Sequence, residues 1–313
     1  MLLLDFINVG YGDAILIRDV DAPFTMLVDC GDVSVGDGGP GSRRISAADY
    51  LRQEGIRELD LLVLTHLHRD HCGGLENVIS AVEIKEFWTN YIPPEAEWGR
   101  CLPVPKEFPA GSCCLLQSLN IFLKALKTLQ ARGTRLCLRN ERQACFPLTA
   151  RLSAELYTES GELQSRQEEI WMAALAGTVD SQELQELDEF INNTSLRLSL
   201  CYEDRRIELP GDVYASCWES HDLPPCDILK LPHHGHKDAL SPHLLEMLRP
   251  THTVISVSNT RRDRCPHPEA VRLLRQMGSR VYFTDAVREN GYAASSRKAL
   301  RVQISGEYGL TFL

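Results

Sequence analysis

Residues 65–74 of this chain read THLHRDHCGG and are entered through the apolar run LDLLVL. A continuous apolar run of this length suits a strand covered on both faces. The segment before it, ISAADYLRQEGI, has the pattern of a short helix stopped at Gly55. A helix, then a buried strand, then polar chemistry at the strand's carboxyl end is a layered α/β arrangement. Placing ligand-type side chains there is costly unless something takes up their lone pairs. An extended segment sends alternate side chains to one side, so His66 and His68 can converge on one metal ion. Gly73 and Gly74 would permit a turn that lets Asp70 and His71 face a second ion. A lone histidine is usually a hydrogen-bonded core or surface residue, but this density of ligand types argues against that plain reading.

Two ions need further ligands, and other strand ends offer them. The stretch NNTSLRLSLCYEDRRIEL reads as a hairpin with its turn near Glu203 and Asp204, and it runs into a PGD whose Asp212 has two oxygens with which to bridge. The strand-like CDILK leads to LPHHG, where His233 and His234 supply an imidazole. Asp29 follows the apolar strand of LVDCGD. It is expected behind the ligands, accepting a hydrogen bond that fixes the HLHRDH loop, although it too could ligate.

The remaining chain fits one domain spanning 1–313, with a helical insertion or lid at 155–191. That insertion carries ELQSRQEEIWMAALAG and DSQELQELDEFI; Asp180 and Glu183 are spaced as a capping box, and Ile170, Trp171 and Leu175 mark an apolar face. Residues 91–114 read as proline-rich and irregular, SLNIFLKALKTLQARG as a helix stopped by Gly133, and LTARLSAELY as a strand. HPEAVRLLRQMG reads as a helix and RVYFTD as a strand. The eleven cysteines show no CxxC pair and are read as reduced thiols. No basic leader opens the sequence, and no apolar run approaches the roughly 20 residues of a membrane helix. A cytoplasmic location without a membrane partner is expected. The net charge of −10 conceals two opposed segments: residues 141–190 hold eleven Asp/Glu against three Arg, a net of −8, and residues 261–301 hold ten Lys/Arg against four Asp/Glu, a net of +6.

In FINVGYGDAILI, LVDCGD, THLHRDHCGGL, NNTSLRL, PGD, LKLPHHG, VISVSN, CPHP and FTD the chain resembles the metallo-β-lactamase fold and, within it, the nuclease-like domain of the ComEC DNA-uptake proteins. The resemblance implies an α/β fold in the form of a four-layered αββα sandwich, with the site along one edge of two facing sheets. It implies ligands at His66, His68, Asp70, His71, Asp212 and His234 for two divalent ions, Zn or Mn, with Mg a further candidate. Asp13, Asp29, Asn192, Asn193, Ser195 and His233 would support them. Relatives with a complete dinuclear zinc site carry another histidine just before the strand that here begins NNTSL. Here Asn192, Asn193 and Ser195 occupy that neighbourhood, so one ion position is expected to be weaker or to prefer oxygen ligands, as manganese does. Asn8, Tyr11, His236 and Ser258 also depart from the family's usual residues, which bears on substrate more than on metal.

Ions bridged by Asp212, with Asp70 beside them, would acidify a water for attack. Such machinery serves phosphodiesters, thioesters and β-lactams alike, so the substrate must be read elsewhere. In RRDRCPHP, Arg261, Arg262 and Arg264 precede His267, and guanidinium groups grip phosphate in a forked geometry. His267 could protonate a leaving oxygen or contact the substrate; His236 and Lys237 are weaker phosphate contacts. A solvated arginine loop is the plain alternative. With the resemblance, the expectation is a metal-dependent DNA nuclease cutting through a metal-bound hydroxide. Its role would be in defence, including antiviral defence, and a regulatory protein or protease would act on the acidic insertion as a gate. The rivals are a small-molecule hydrolase acting on a thioester, lactone or cyclic nucleotide, and a non-catalytic metal-stabilised binding module.

Overall fold

Alternating and continuous apolar runs sort the strands into two facing sheets. A computed structural model describes residues 1–313 except 40, 159–160, 220, 222, 261–264, 287, 290–291, 294–296 and 307–308. Among the described residues the first sheet begins with β1 (Leu2–Ile7), β2 (Ile15–Asp19), β3 (Phe24–Val28), β4 (Glu58–Leu64), β5 (Glu83–Thr89) and β6 (Arg135–Leu138). The second holds β7 (Gln143–Pro147), β8 (Leu152–Tyr157), β9 (Arg197–Tyr202), β10 (Arg205–Leu209), β11 (Ile228–Lys230), β12 (His252–Ile255) and β13 (Arg280–Phe283). A ribbon of β14 (Arg288–Glu289) and β15 (Tyr292–Ala293) precedes β16 (Ala299–Ser305) and β17 (Gly309–Phe312), which return to the first sheet beside β1.

The layers follow from which faces are apolar. Leu4, Phe6, Ile17, Val28 and Val63 of the first sheet meet Leu156, Leu198, Leu200, Ile207 and Val254 of the second in a buried inter-sheet core. The other face of the first sheet is covered by α1 (Ala47–Gln53), α2 (Arg69–Cys72), α3 (Leu75–Ala81), α4 (Ala110–Ala131), α5 (Glu162–Ala176) and α6 (Ser181–Phe190). The other face of the second sheet packs against α7 (Ala215–Trp218), α8 (Pro242–Leu248) and α9 (Pro268–Gln276). The result is the four-layered αββα sandwich expected from the sequence. None of the described helices is long and apolar enough to cross a membrane. Strands β3, β4 and β5 run parallel in one sheet and β10, β11 and β12 in the other. Loops after their carboxyl ends carry Asp29, the THLHRDH segment, Asp212 and His234, which is where open parallel sheets place their chemistry.

Several local expectations need correction. LTARLSAELY is not one strand: the N–H groups of Leu148 and Thr149 both donate to the carbonyl of Leu152 at 2.9 Å, making a tight turn between β7 and β8. Helix α4 starts at Ala110, inside the stretch expected to be irregular, directly after Pro109. HLHRDH is extended only as far as His68, which caps the short helix α2. Gly73 and Gly74 do form the turn between α2 and α3, but Gly73 at φ −59° and Gly74 at φ −80° lie in the right-handed region, so the turn itself does not require glycine. They are glycines because the chain packs there: a Cβ on Gly74 would lie 2.1 Å from the Cys30 carbonyl oxygen, and one on Gly73 2.4 Å from both the Arg69 carbonyl oxygen and the Val33 backbone nitrogen.

Helices α5 and α6 are docked on the body. Ile170, Trp171, Ala174, Leu175, Leu184 and Leu187 join the same core as Phe122 and Leu126 of α4. The N-terminus of α6 is closed by the capping box between Asp180 and Glu183. Trp171 is fully buried, so Trp171→Ala is expected to cost about 3–5 kcal/mol of stability, read by denaturant unfolding followed by circular dichroism.

Candidate metal centre

The site is organised around side chains whose hydrogen bonds decide which ring nitrogen stays bare. Asp29, at φ 59° just after β3, accepts from the Thr65 N–H and the Thr65 hydroxyl, each at 2.8 Å. It also accepts from Nδ1 of His71 at 2.8 Å. That bond makes Nδ1 the protonated nitrogen and turns the Nε2 lone pair of His71 outward, 3.1 Å from Oδ2 of Asp212. In His234, Nδ1 lies 3.2 Å from the Ser256 carbonyl, which can only accept. Its Nε2 therefore faces Asp70 at 3.0 Å and Asp212 at 3.4 Å. His66 obeys the same logic. The Thr65 hydroxyl gives its proton to Asp29 and the Ser195 hydroxyl gives its own to the Asn192 carbonyl, so both accept from Nδ1 of His66, at 3.1 and 3.2 Å. Nε2 of His66 is left buried without a partner.

The electrostatics point the same way. Among the described residues, the four carboxylates of Asp13, Asp29, Asp70 and Asp212 are accompanied by one buried ammonium, that of Lys230, which ion-pairs with Asp13 and lies 3.3 Å from Asp212. Three negative charges then remain for protons or metal ions to balance. In the absence of cations the burden falls on the histidines. Burial alone would push His71 down, but Asp212, Asp29 and Asp70 overcome it and hold the ring well above its ordinary range. His234 is likewise held up, against its burial, by Asp212 and Asp70. Burial, with His71 and His68 alongside, pushes His66 well below its usual value, so it stays neutral with its lone pair available. Burial would raise Asp212, yet His71, Lys230 and His234 hold its carboxyl well below the usual range.

These residues fit divalent metal. One donor atom each from Asp70, His71, Asp212 and His234 lies within 4.8 Å of all the others, a mixed nitrogen and oxygen set that would hold one ion. The bare Nε2 of His66 borders it, with the His66 and His71 rings 4.2 Å apart, and His66 with His68 would supply a second position. His68 does not join the cluster through Nε2, which instead meets Asp188 of α6 at 3.2 Å. Asp212 was expected to bridge with both oxygens. Only Oδ2 faces the histidines, because Oδ1 accepts the His233 N–H at 3.0 Å and faces Lys230.

The supporting residues fall behind these groups. Asn193 accepts the Tyr214 N–H at 2.9 Å, and Asn192 reaches the Tyr214 hydroxyl at 3.3 Å and His233 at 3.4 Å. His233 contacts Asp238 at 2.9 Å and stacks on His236, away from the cluster, while Lys237 is exposed. His233 and His234 are both left-handed, at φ 47° and 51°, a strained pair that aims the two rings in opposite directions. His267 caps α9, its Nδ1 accepting the Glu269 N–H at 3.3 Å, and its own N–H donates to the Gly235 carbonyl beside the PHHG turn. Arg261, Arg262 and Arg264 lie outside the described residues.

Sequence reasoning missed Lys230, Thr65 and Asp188. A lysine in the apolar strand DILKL was a usable signal for the first; nothing local marked the other two. It also missed a cleft of about 420 Å³ lined by Tyr11, Asp32, Arg44, Arg69, Ser258 and Thr260, among others. The ring of Tyr11 lies 4.4 Å from that of His234, so the cleft opens beside the centre.

A family match covers the part of the chain that carries Asp13, Asp29 and the HLHRDH loop. Residues 7–99, which include β2–β5, Asp13, Asp29 and HLHRDH, match the family model described as the metallo-beta-lactamase superfamily. The chain is 22% identical over 291 residues to ComE operon protein 3 of Bacillus subtilis (strain 168), an alignment covering 90% of this chain and 32% of that protein. The chain thus spans about a third of that relative. Among solved structures it is similar to the metallo-beta-lactamase fold protein YhfI from Bacillus subtilis, at 8% identity and a TM-score of 0.46 over 92% of this chain and 98% of that one. It is also similar to a diphosphatase from the PhnP family, at 13% identity and a TM-score of 0.44 over 97% and 98% of the two chains. The αββα layers, the clustered ligands at the sheet edge and the family match together identify this as a metallo-β-lactamase-fold chain.

Proposed function

We propose that this metallo-β-lactamase-fold hydrolase is a divalent-metal-dependent nuclease that cuts DNA. The observation that carries the metal-dependent part is a set of three imidazoles with committed Nδ1 atoms: Nε2 of His71 and of His234 lie beside Asp212 and Asp70, and the unpartnered Nε2 of His66 borders them. Divalent ions bound there, Zn or Mn with Mg a further candidate, supply Lewis acidity toward a phosphoryl oxygen and toward water. Oδ2 of Asp212 and the carboxylate of Asp70 would orient an attacking water and take its proton. Lys230 keeps Asp212 ionised and still. The capping bond at Nδ1 of His267 makes Nε2 its protonated nitrogen, a donor for the leaving oxygen.

For the substrate, support comes from the basic side of the site and from the ComEC-like resemblance, with which the similarity to ComE operon protein 3 agrees. Arg69 lines the cleft, and Ser258 and Thr260, also in its wall, lead directly in sequence to Arg261, Arg262 and Arg264. A polyanion needs such a series of forked donors, whereas a thioester or lactone would gain little from it. Work in the cytoplasm and a defence role belong to the same proposal. The packing of α5 and α6 favours a docked acidic segment over a swinging gate, since displacement would expose Ile170, Trp171 and Leu184.

Three outcomes are expected. Metal analysis of purified protein should find up to two divalent ions per chain, and Asp212→Ala should lose at least one together with most of the cleavage of plasmid and linear DNA. Absence of both metal and cleavage across Zn, Mn and Mg would leave a binding module. Replacing Arg261, Arg262 and Arg264 by alanine should cut DNA cleavage by about 10-fold or more and flatten its salt dependence, read as rate against ionic strength. Rates unaffected by that triple change would favour a small-molecule substrate. Limited proteolysis within 155–190 should leave the nuclease rate no higher than before, and a rise on cutting would establish the gate.

A further inference from the structure

Among the described residues, His68 is the one expected histidine ligand whose Nε2 meets a side chain outside the expected ligand set. Its Nε2 meets Oδ1 of Asp188 at 3.2 Å across 120 residues of sequence. Asp188 stands on the last turn of the acidic helix α6, whose following residues form the turn carrying Asn192, Asn193 and Thr194. The helix is fixed from both ends: Leu184 and Leu187 are buried in the core, and the Tyr214 hydroxyl donates to the Glu189 carbonyl at 3.2 Å. The Asp188 carboxylate also lies against Gly111 of α4, where an added Cβ would sit 2.6 Å from Oδ2. A glycine at that point leaves the space the carboxylate occupies.

We propose that Asp188 is a positioning residue for the second ion: it accepts the Nε2–H of His68 and so leaves Nδ1 as the nitrogen with which His68 can ligate. The proposal rests on the metal-centre reading above. A carboxylate bonded to the outer nitrogen of a ligating imidazole fixes its tautomer and ring orientation and raises its basicity. His66 and His71 are held in the same manner by Thr65, Ser195 and Asp29, but from the opposite nitrogen, through Nδ1. The two rings flanking His68 thus present Nε2, and His68 presents Nδ1. The contact is partly solvated, with the His68 side chain 20% and the Asp188 side chain 45% exposed. Its effect therefore falls on ring orientation and metal affinity more than on folding stability. On this reading the acidic insertion contributes a component of the centre that the HLHRDH motif lacks.

The test is calorimetric titration of the metal-free full chain with Zn and with Mn, for wild type, Asp188→Ala, Asp188→Asn and Gly111→Ala. Asp188→Ala should weaken one of two binding events by about 10–100-fold and leave the other in place. Asp188→Asn should lose less, because its amide oxygen can accept the same N–H. Gly111→Ala touches no ligand and suits a helix, yet it should weaken the same event by displacing the carboxylate. Nitrogen-15 shifts of His68 in the metal-free protein should report Nε2–H in wild type and lose that bias in Asp188→Ala, with thermal unfolding of the metal-free variants near wild type. Titrations of Asp188→Ala that superimpose on wild type would reduce the contact to a surface pair and leave the metal centre standing. Tighter binding by Asp188→Ala would mean that Asp188 competes for His68, which also overturns the proposal. A wild type that takes up neither metal would overturn the metal-centre reading together with this one.

Discussion

The hydrogen bond between Asp29 and His71 is the constraint from which the rest of the site follows. It joins the end of β3 to the loop after β4, and through Thr65 it also sets the ring of His66. With their Nδ1 atoms committed, His71, His66 and His234 turn bare nitrogens toward Asp212 and Asp70. Leaving a buried polar group unsatisfied costs about 1–3 kcal/mol, and left-handed residues such as His233 and His234 cost a similar amount each. The inter-sheet core and the two helical layers hold those groups in place against that cost. Lys230 moderates the excess negative charge without filling the space between the imidazoles.

The acidic segment takes on a different character once its packing is known. Its net charge suggested something held away from a polyanion, but one face of α5 and α6 is continuous with the core, and α6 ends in the turn that positions Asn192, Asn193 and Ser195. Charge on the outer face and structure on the inner one are compatible, because an amphipathic helix separates them by its period. Arg166 bonded to Glu186 on that outer face shows part of the acidity being met locally.

Much of the fold could be read in the chain because its signals are local. LDLLVL, LVDCGD and CDILK announce buried strands, and Asp180 with Glu183 announces the start of α6. HLHRDH announces a metal site through density of ligand types alone. What failed locally did so for tertiary reasons. Gly73 and Gly74 do sit in a turn, but they are glycines for packing, a reason set by Cys30 and Val33 from a neighbouring segment. β7 was missed because QACFP carries little period and gains its strand character from pairing with β8.

By itself the sequence determined the layered α/β class, the ligand types at the strand ends and the resemblance that names the fold, since these depend on spacing and composition along a few residues. Only the tertiary structure decided which nitrogen of each histidine is bare, that Asp212 faces the centre with one oxygen, and that His68 looks toward Asp188. Those are properties of partners brought together by the fold, some as much as 164 residues apart. A side chain's tautomer and direction are set by what lies across from it, and no local pattern carries that information.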